Sequence, residues 1–242
     1  MTSLRVCHLY PDLLNLYGDF GNILALRNRA RFHGYDMTYT THTIGDRLDP
    51  ESADLFFIGG GQDQDQKRVL RDMLEKRELI RQAVEEGIPF LCICGGYQLM
   101  GEEFKTTSGD HLTCLHIIDA ITTGGRERMI GDTVYRAEWL GEGDDQILYG
   151  FENHSGETVL GPDAVPLAQV VRGYGNNRRD KNEGCRYKNL IGTYSHGSFL
   201  PKNPAMTDWL IEKALGTELP YRGVLRPAER AARELAAKRL NP

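Results

Sequence analysis

Long apolar runs are absent from this 242-residue chain. A bilayer-spanning helix needs roughly 20 consecutive apolar residues, so no transmembrane segment is expected. Met1-Thr2-Ser3-Leu4-Arg5 leads directly into a strand-like run and not into a signal-peptide core, which makes the cytoplasm the expected compartment. An excess of basic charge is also missing: 29 Lys and Arg stand against 34 Asp and Glu, for a net charge of -5. That balance argues against general affinity for nucleic acid. Cysteine is scarce and odd in number, at positions 7, 92, 94, 114 and 185. Without an export signal this fits reduced thiols and not a disulfide framework. No second Cys or His pair accompanies Cys92 and Cys94 at zinc-ligand spacing, so no metal is expected. A GxxxxGK[ST] loop and other nucleotide fingerprints are lacking, as are internal repeats and low-complexity linkers.

What is present is an alternation of strand and helix. Residues 4–9, 36–43, 53–58 and 88–94 read as strands, because short apolar or β-favouring runs end at glycine, proline or polar residues. Helices are predicted from Ile23 to a stop at Gly34, and over 66–86 with a stop at Gly87. Alternation of this kind predicts a mostly parallel sheet with helices on both faces. Further on, 113–136 and 170–174 are strand-rich, and 190–201 runs from an apolar strand into a turn. Residues 206–215 read as a helix ended by Gly216, and 227–240 as a second helix opened by proline. The organisation expected is one domain over 1–216 with a helical tail over 217–242.

The stretch around Cys94 carries the chemistry. An apolar run breaks at Cys94 into Gly95-Gly96 and then a helix-like segment, so Cys94 is expected on a sharp strand-to-helix turn. The helix N-terminus would favour its thiolate. The alternative is a small buried thiol without a role. Gly59-Gly60-Gly61 follows another strand directly and offers backbone amides to an anion; a plain flexible turn fits these glycines equally well. His196 occupies a third strand end. In open α/β sheets ligands bind beyond the carboxyl ends of the strands, and these elements share that position with the 18–21 loop. A cysteine nucleophile, a histidine base and amide donors suit acyl transfer through a thioester. Arg126 and Arg128, beside glycines, could hold a carboxylate or belong to a solvated hairpin. His154 is a second candidate base, or a hydrogen-bonded turn residue.

Gly59-Gly60-Gly61-Gln62-Asp63, Ile93-Cys94-Gly95-Gly96-Tyr97-Gln98 and Tyr194-Ser195-His196-Gly197 resemble the three signatures of class I glutamine amidotransferases. Cys-Gly-Gly-Tyr-Gln and Gly150-Phe151-Glu152-Asn153-His154 are similar to the cobyric acid synthase-like branch. Within it, Leu16-Tyr17-Gly18-Asp19-Phe20-Gly21-Asn22, Gly173-Tyr174-Gly175-Asn176-Asn177 and Leu200-Pro201-Lys202-Asn203-Pro204 resemble the GatD subunits of lipid II isoglutaminyl synthases. The likeness extends to about residue 215.

The resemblance implies a flavodoxin-like domain that hydrolyses L-glutamine to glutamate and ammonia. It implies Cys94 as nucleophile, His196 as general base, and an oxyanion hole from Gly95 with Gly60 or Gly61. Arg128 is expected on the glutamine α-carboxylate, with Arg126 as the alternative. The implied partner is a MurT-like Mur ligase subunit, which binds ATP and magnesium and amidates D-glutamate in the lipid II stem peptide; no cofactor is expected in this chain. Alternatives are another amidation, such as that of a cobyrinate-like substrate, or a silent binding subunit. Two positions depart from the pattern. Cys92 replaces a common glycine, and Ser198 stands where many members carry the glutamate that orients the histidine. The orienting carboxylate must then come from Asp19, Glu152 or the partner.

Overall fold

The computed structural model describes residues 3–240; residues 1, 2, 241 and 242 of the two expected units lie outside the described residues. The first half alternates as anticipated: β1 (Ser3–Leu9), α1 (Phe20–Phe32), β2 (Asp36–His42), β3 (Leu55–Ile58), α2 (Asp63–Glu75), α3 (Arg77–Glu85), β4 (Phe90–Ile93) and α4 (Gly95–Met100). Then come β5 (Glu103–Lys105), β6 (His111–Thr113), β7 (Ala120–Arg136), β8 (Ile147–Leu160), β9 (Ala168–Arg172) and β10 (Asn182–Glu183). The chain closes with β11 (Cys185–Tyr187), β12 (Leu190–Thr193), β13 (Ser195–His196), α5 (Pro204–Leu215) and α6 (Pro227–Leu240).

The main sheet has the order β11-β12-β4-β3-β1-β2. Every neighbouring pair is parallel except β11 with β12. Its central strands are apolar at successive positions because both faces are covered. Leu55, Phe57, Leu91 and Ile93 point into the layer under α1 and α5, whereas Phe56, Ile58, Phe90 and Cys92 point under α2, α3 and α4. Cys92 is therefore a fully buried core thiol, at an ordinary strand position where the family pattern has glycine. Gly34, at φ +87, stops α1 where the sequence places the stop.

Two features differ from the sequence reading. The helix expected over 66–86 is two helices, broken at Lys76, whose φ and ψ of -102 and 5 leave the helical region. The Lys76 ammonium turns back onto Asp72, a nearly buried carboxylate that also accepts from Tyr10 Oη at 2.7 Å and Gly45 N at 2.9 Å. The second feature is a separate sheet, mostly antiparallel, in which β7 pairs with β5, β8 and β9, and β8 pairs with β13. The segment holding Arg126 and Arg128 is not a hairpin but an irregularity inside the β7–β8 ladder, between Gly124 and Met129. Among the described residues, no helix is long and apolar enough to cross a membrane.

Candidate active site

Cys94 lies at the junction of β4 and α4 with φ 47 and ψ -101, a left-handed conformation that a residue with a Cβ adopts only under strain. Its N–H donates to Thr193 O of the adjacent strand end at 2.8 Å. The two glycines that follow make the elbow possible. A methyl on Gly96 would stand 2.9 Å from Ile58 O and 3.0 Å from Gly59 O. One on Gly95 would stand 3.0 Å from Gly61 N and from the Gln66 amide. The elbow is thus packed backbone to backbone against the 59–61 loop.

His196 reaches the same point from β13. Its strand pairs with β8, His196 opposite Phe151, and its side chain is fully buried. A methyl on Gly60 would stand 2.7 Å from His196 Cε1 and 3.4 Å from Cys94 Cβ, so only glycine leaves room for both side chains. Burial works against charge on His196; the Cys94 sulfur and the Asp19 carboxylate outweigh it and push its pKa up to about 10. The imidazolium form is therefore favoured beside the Cys94 sulfur.

Of the three sources of an orienting carboxylate, two are now located. Asp19, fully buried, faces His196 Nδ1 with Oδ1 at 3.5 Å. Glu152 is turned away: its oxygens accept from Tyr174 N at 2.8 Å and Gly175 N at 3.1 Å, which leaves it bound to the backbone before β10. Ser198 does not approach the histidine either. Its hydroxyl donates to Gly18 O at 2.5 Å and so fastens the residue next to Asp19.

The amides beside Cys94 divide similarly. Gly60 N–H donates to Asp19 Oδ2 at 2.7 Å, so Gly60 drops out of the expected oxyanion pair. Gly61 N–H and Gly95 N–H have no acceptor among the described residues and lie on the same side of the elbow.

A cleft of about 440 Å³ opens over these groups, lined in part by Cys94, His196, Gly61, Gln66, Arg128 and His154. Arg126 is not part of it. The Arg128 guanidinium is held over the cleft, donating from Nε to Asn153 Oδ1 at 2.5 Å and from Nη2 to Tyr17 Oη at 3.1 Å. His154 stacks on Tyr194 at 3.7 Å between ring centroids and shares a hydrogen bond with Gly156 O at 2.8 Å. Burial pushes its pKa down despite Glu152 nearby, which suits a packed neutral ring in the wall. Tyr17 was not singled out by the sequence. Its ring edge lies against His196, 5.0 Å between centroids, while its hydroxyl holds Arg128. Its left-handed φ of 54 beside Gly18 has no signature in the sequence, since only glycine advertises that region.

Comparison with known proteins agrees with this geometry. The profile of the CobB/CobQ-like glutamine amidotransferase domain matches residues 5–204. The lipid II isoglutaminyl synthase (glutamine-hydrolyzing) subunit GatD of Staphylococcus aureus strain N315 is 41% identical over 214 residues, covering 88% of this chain and 85% of that protein. The same subunit of Streptococcus pneumoniae strain R6 is 38% identical, covering 88% and 81%. A crystal structure of a glutamine amidotransferase from Thermotoga maritima superposes with a TM-score of 0.55 at 16% identity, over 100% of this chain and 93% of that one. That likeness speaks to the fold, that of the flavodoxin-like class I glutamine amidotransferases. With its profile matched over most of the chain and two relatives aligned over nearly their whole length, the chain belongs to the CobB/CobQ-like glutamine amidotransferase family.

Proposed function

We propose that this chain is the glutamine-hydrolysing subunit of a lipid II isoglutaminyl synthase. The observation that carries the reading is Cys94 on a strained elbow against the buried His196, with two unpaired amides alongside.

The chemistry follows from these positions. Arg128 takes the α-carboxylate of L-glutamine, which directs the side-chain amide toward Cys94. His196, as the imidazolium, already holds the proton of the Cys94–His196 pair, and the sulfur attacks the amide carbon. The resulting oxyanion is held by Gly61 N–H and Gly95 N–H, which are fixed before the charge develops. The imidazolium returns its proton to the nitrogen, ammonia leaves, and a thioester remains. Water, deprotonated by His196, then attacks the thioester carbon and releases glutamate. Asp19 orients His196 from Nδ1, a task its partner subunit can share because the 3.5 Å separation exceeds an ordinary hydrogen bond. The ammonia passes to a MurT-like Mur ligase subunit in the cytoplasm. That partner uses ATP and magnesium to activate the D-glutamate carboxyl of the lipid II stem peptide. No cofactor is assigned to this chain.

The test is amidation of lipid II by the chain co-purified with its ligase partner, with ATP and magnesium and either glutamine or ammonium as nitrogen donor. Cys94→Ala is expected to abolish the glutamine-dependent reaction and leave the ammonium-dependent one. Glutaminase activity is expected to rise when the partner is added to the isolated chain. Undiminished glutamine-dependent amidation by the alanine variant would overturn the reading.

A further inference from the structure

The matched family profile ends at residue 204, before the final helix begins. Beyond α5 the chain doubles back along α1. Val224 O accepts from Arg29 Nη1 at 2.9 Å, and Glu229, in the first turn of α6, accepts from the same nitrogen at 2.8 Å. Arg29 is almost fully buried and also binds Asp208 through Nε and Nη2. The helix start is thereby fixed to the layer of α1 and α5. The helix end is fixed to the second sheet. Leu240 packs on Val134 and Tyr149, its carbonyl accepts from Arg172 Nη1 at 3.0 Å, and Arg239 pairs with Asp132 at 2.9 Å.

Between these anchors lies Arg233. Its guanidinium donates to three backbone carbonyls: Lys202 O at 3.0 Å, Asp144 O at 2.7 Å and Ile147 O at 3.1 Å. It sits over the Tyr149 ring at 5.2 Å, and no carboxylate pairs with it among the described residues. Lys202 belongs to the loop that leaves His196, and Ile147 opens β8, the strand on which His196 is laid. Asn203, next to Lys202, is bonded to both Tyr149 N and Tyr149 O at 2.8 Å. The histidine is thus clamped on two sides, and one cation joins the sides.

We propose that Arg233 is a positioning residue for His196, and that α6 is the brace through which it acts. The inference rests on the reading of His196 as general base. The 197–203 loop has other fastenings: Ser198 to Gly18 O and Leu200 N to Asn22 Oδ1 at 2.8 Å on the side of α1, and Asn203 to the Tyr149 backbone on β8. Arg233 supplies the tie to the β7–β8 connection. Without it the loop is held to β8 by Asn203 alone, and small displacements of a catalytic group cost much of the rate. Arg128 is held by Asn153 and Tyr17, neither of which bonds to Arg233, so substrate affinity is expected to change little.

The test uses the full chain with its ligase partner and compares Arg233→Met, Arg233→Lys and Cys94→Ser with the wild type. Methionine keeps much of the apolar stem and removes all three donors. Expected for Arg233→Met is a loss in glutaminase kcat of about 10- to 100-fold with KM within about twofold, measured well below the melting temperature. Arg233→Lys, which can still reach a carbonyl, is expected to recover part of kcat. Should the methionine variant fail to fold, the lysine variant is read alone for the same separation of kcat from KM. Wild-type kcat in the folded variants would overturn the proposal, as would a loss that disappears on cooling in step with regained stability. Activity surviving in Cys94→Ser would instead overturn the underlying reading of the site, so the two failures are distinguishable.

Discussion

Asp19 divides its carboxylate between two parts of the site, Oδ2 accepting the Gly60 N–H at 2.7 Å and Oδ1 facing His196 Nδ1 at 3.5 Å. One side chain thereby orders both the glycine loop and the base. It also explains why Gly60, although it touches both Cys94 and His196, has no amide left for an oxyanion. Asp19→Asn keeps the volume but removes the charge that favours the imidazolium. Glutaminase kcat is expected to fall by about 10²- to 10⁴-fold. The His196 pKa, pushed up to about 10 by the Cys94 sulfur and then by Asp19, should fall as the Asp19 share is lost. Steady-state kinetics and a histidine-labelled NMR titration check the two outcomes; an unchanged titration would remove Asp19 from the role.

Ser198 stands where the resemblance to class I glutamine amidotransferases implies an orienting glutamate, and its hydroxyl serves the Gly18 carbonyl instead. It is packed closely on one side: a methyl on Gly21 would stand 2.0 Å from Ser198 Oγ. Restoring the common residue should therefore not restore function. Ser198→Glu combined with Asp19→Ala is expected to stay as inactive as Asp19→Ala alone and to melt at lower temperature. Calorimetry and the ammonia-release assay decide it.

The two arginines separate by position. Arg128 is held over the cleft by Asn153 and Tyr17, while Arg126 lies outside it. Arg128→Ala should raise the KM for glutamine by about 10- to 100-fold, the range for losing hydrogen bonds to a charged group. Arg126→Ala should leave KM unchanged. Equal effects of the two would contradict the assignment.

Glu183 predicts a pH effect on stability. Its carboxyl is fully buried, and burial, against hydrogen bonds from Thr193 Oγ1 and Tyr194 N, pushes its pKa up to about 7 from 4.5. The native state then holds a proton that the unfolded chain releases. The contribution is fully present below pH 4.5 and is lost as pH rises through 7. The difference of about 2.5 units corresponds to about 3 kcal/mol. In denaturant titrations, Glu183→Gln should remove this slope between pH 5 and 8, and a wild-type slope in the variant would refute it.

The elbow, the triple-glycine turn and the terminal histidine were legible because each is a local event: an apolar run, then residues that permit a sharp turn at a strand end. The strand alternation was legible for the same reason, since parallel strands covered on both faces are apolar throughout. The break at Lys76 was not, because no glycine or proline marks it: Lys76 itself takes the non-helical φ and ψ. The second sheet was only glimpsed as strand-rich segments. Its pairing is set by which strands meet, and residue period alone does not encode that.

The sequence by itself determined the family and put Cys94 and His196 at neighbouring strand ends, since these depend on residue type at turns that short-range sterics create. Tertiary structure alone decided which carboxylate faces His196, which glycine amide remains free and which arginine reaches the cleft. Those choices are made by buried hydrogen bonds between segments far apart in the chain, such as Ser198 to Gly18. A buried polar atom takes the partner that packing brings within reach, and only the closed fold fixes which one that is.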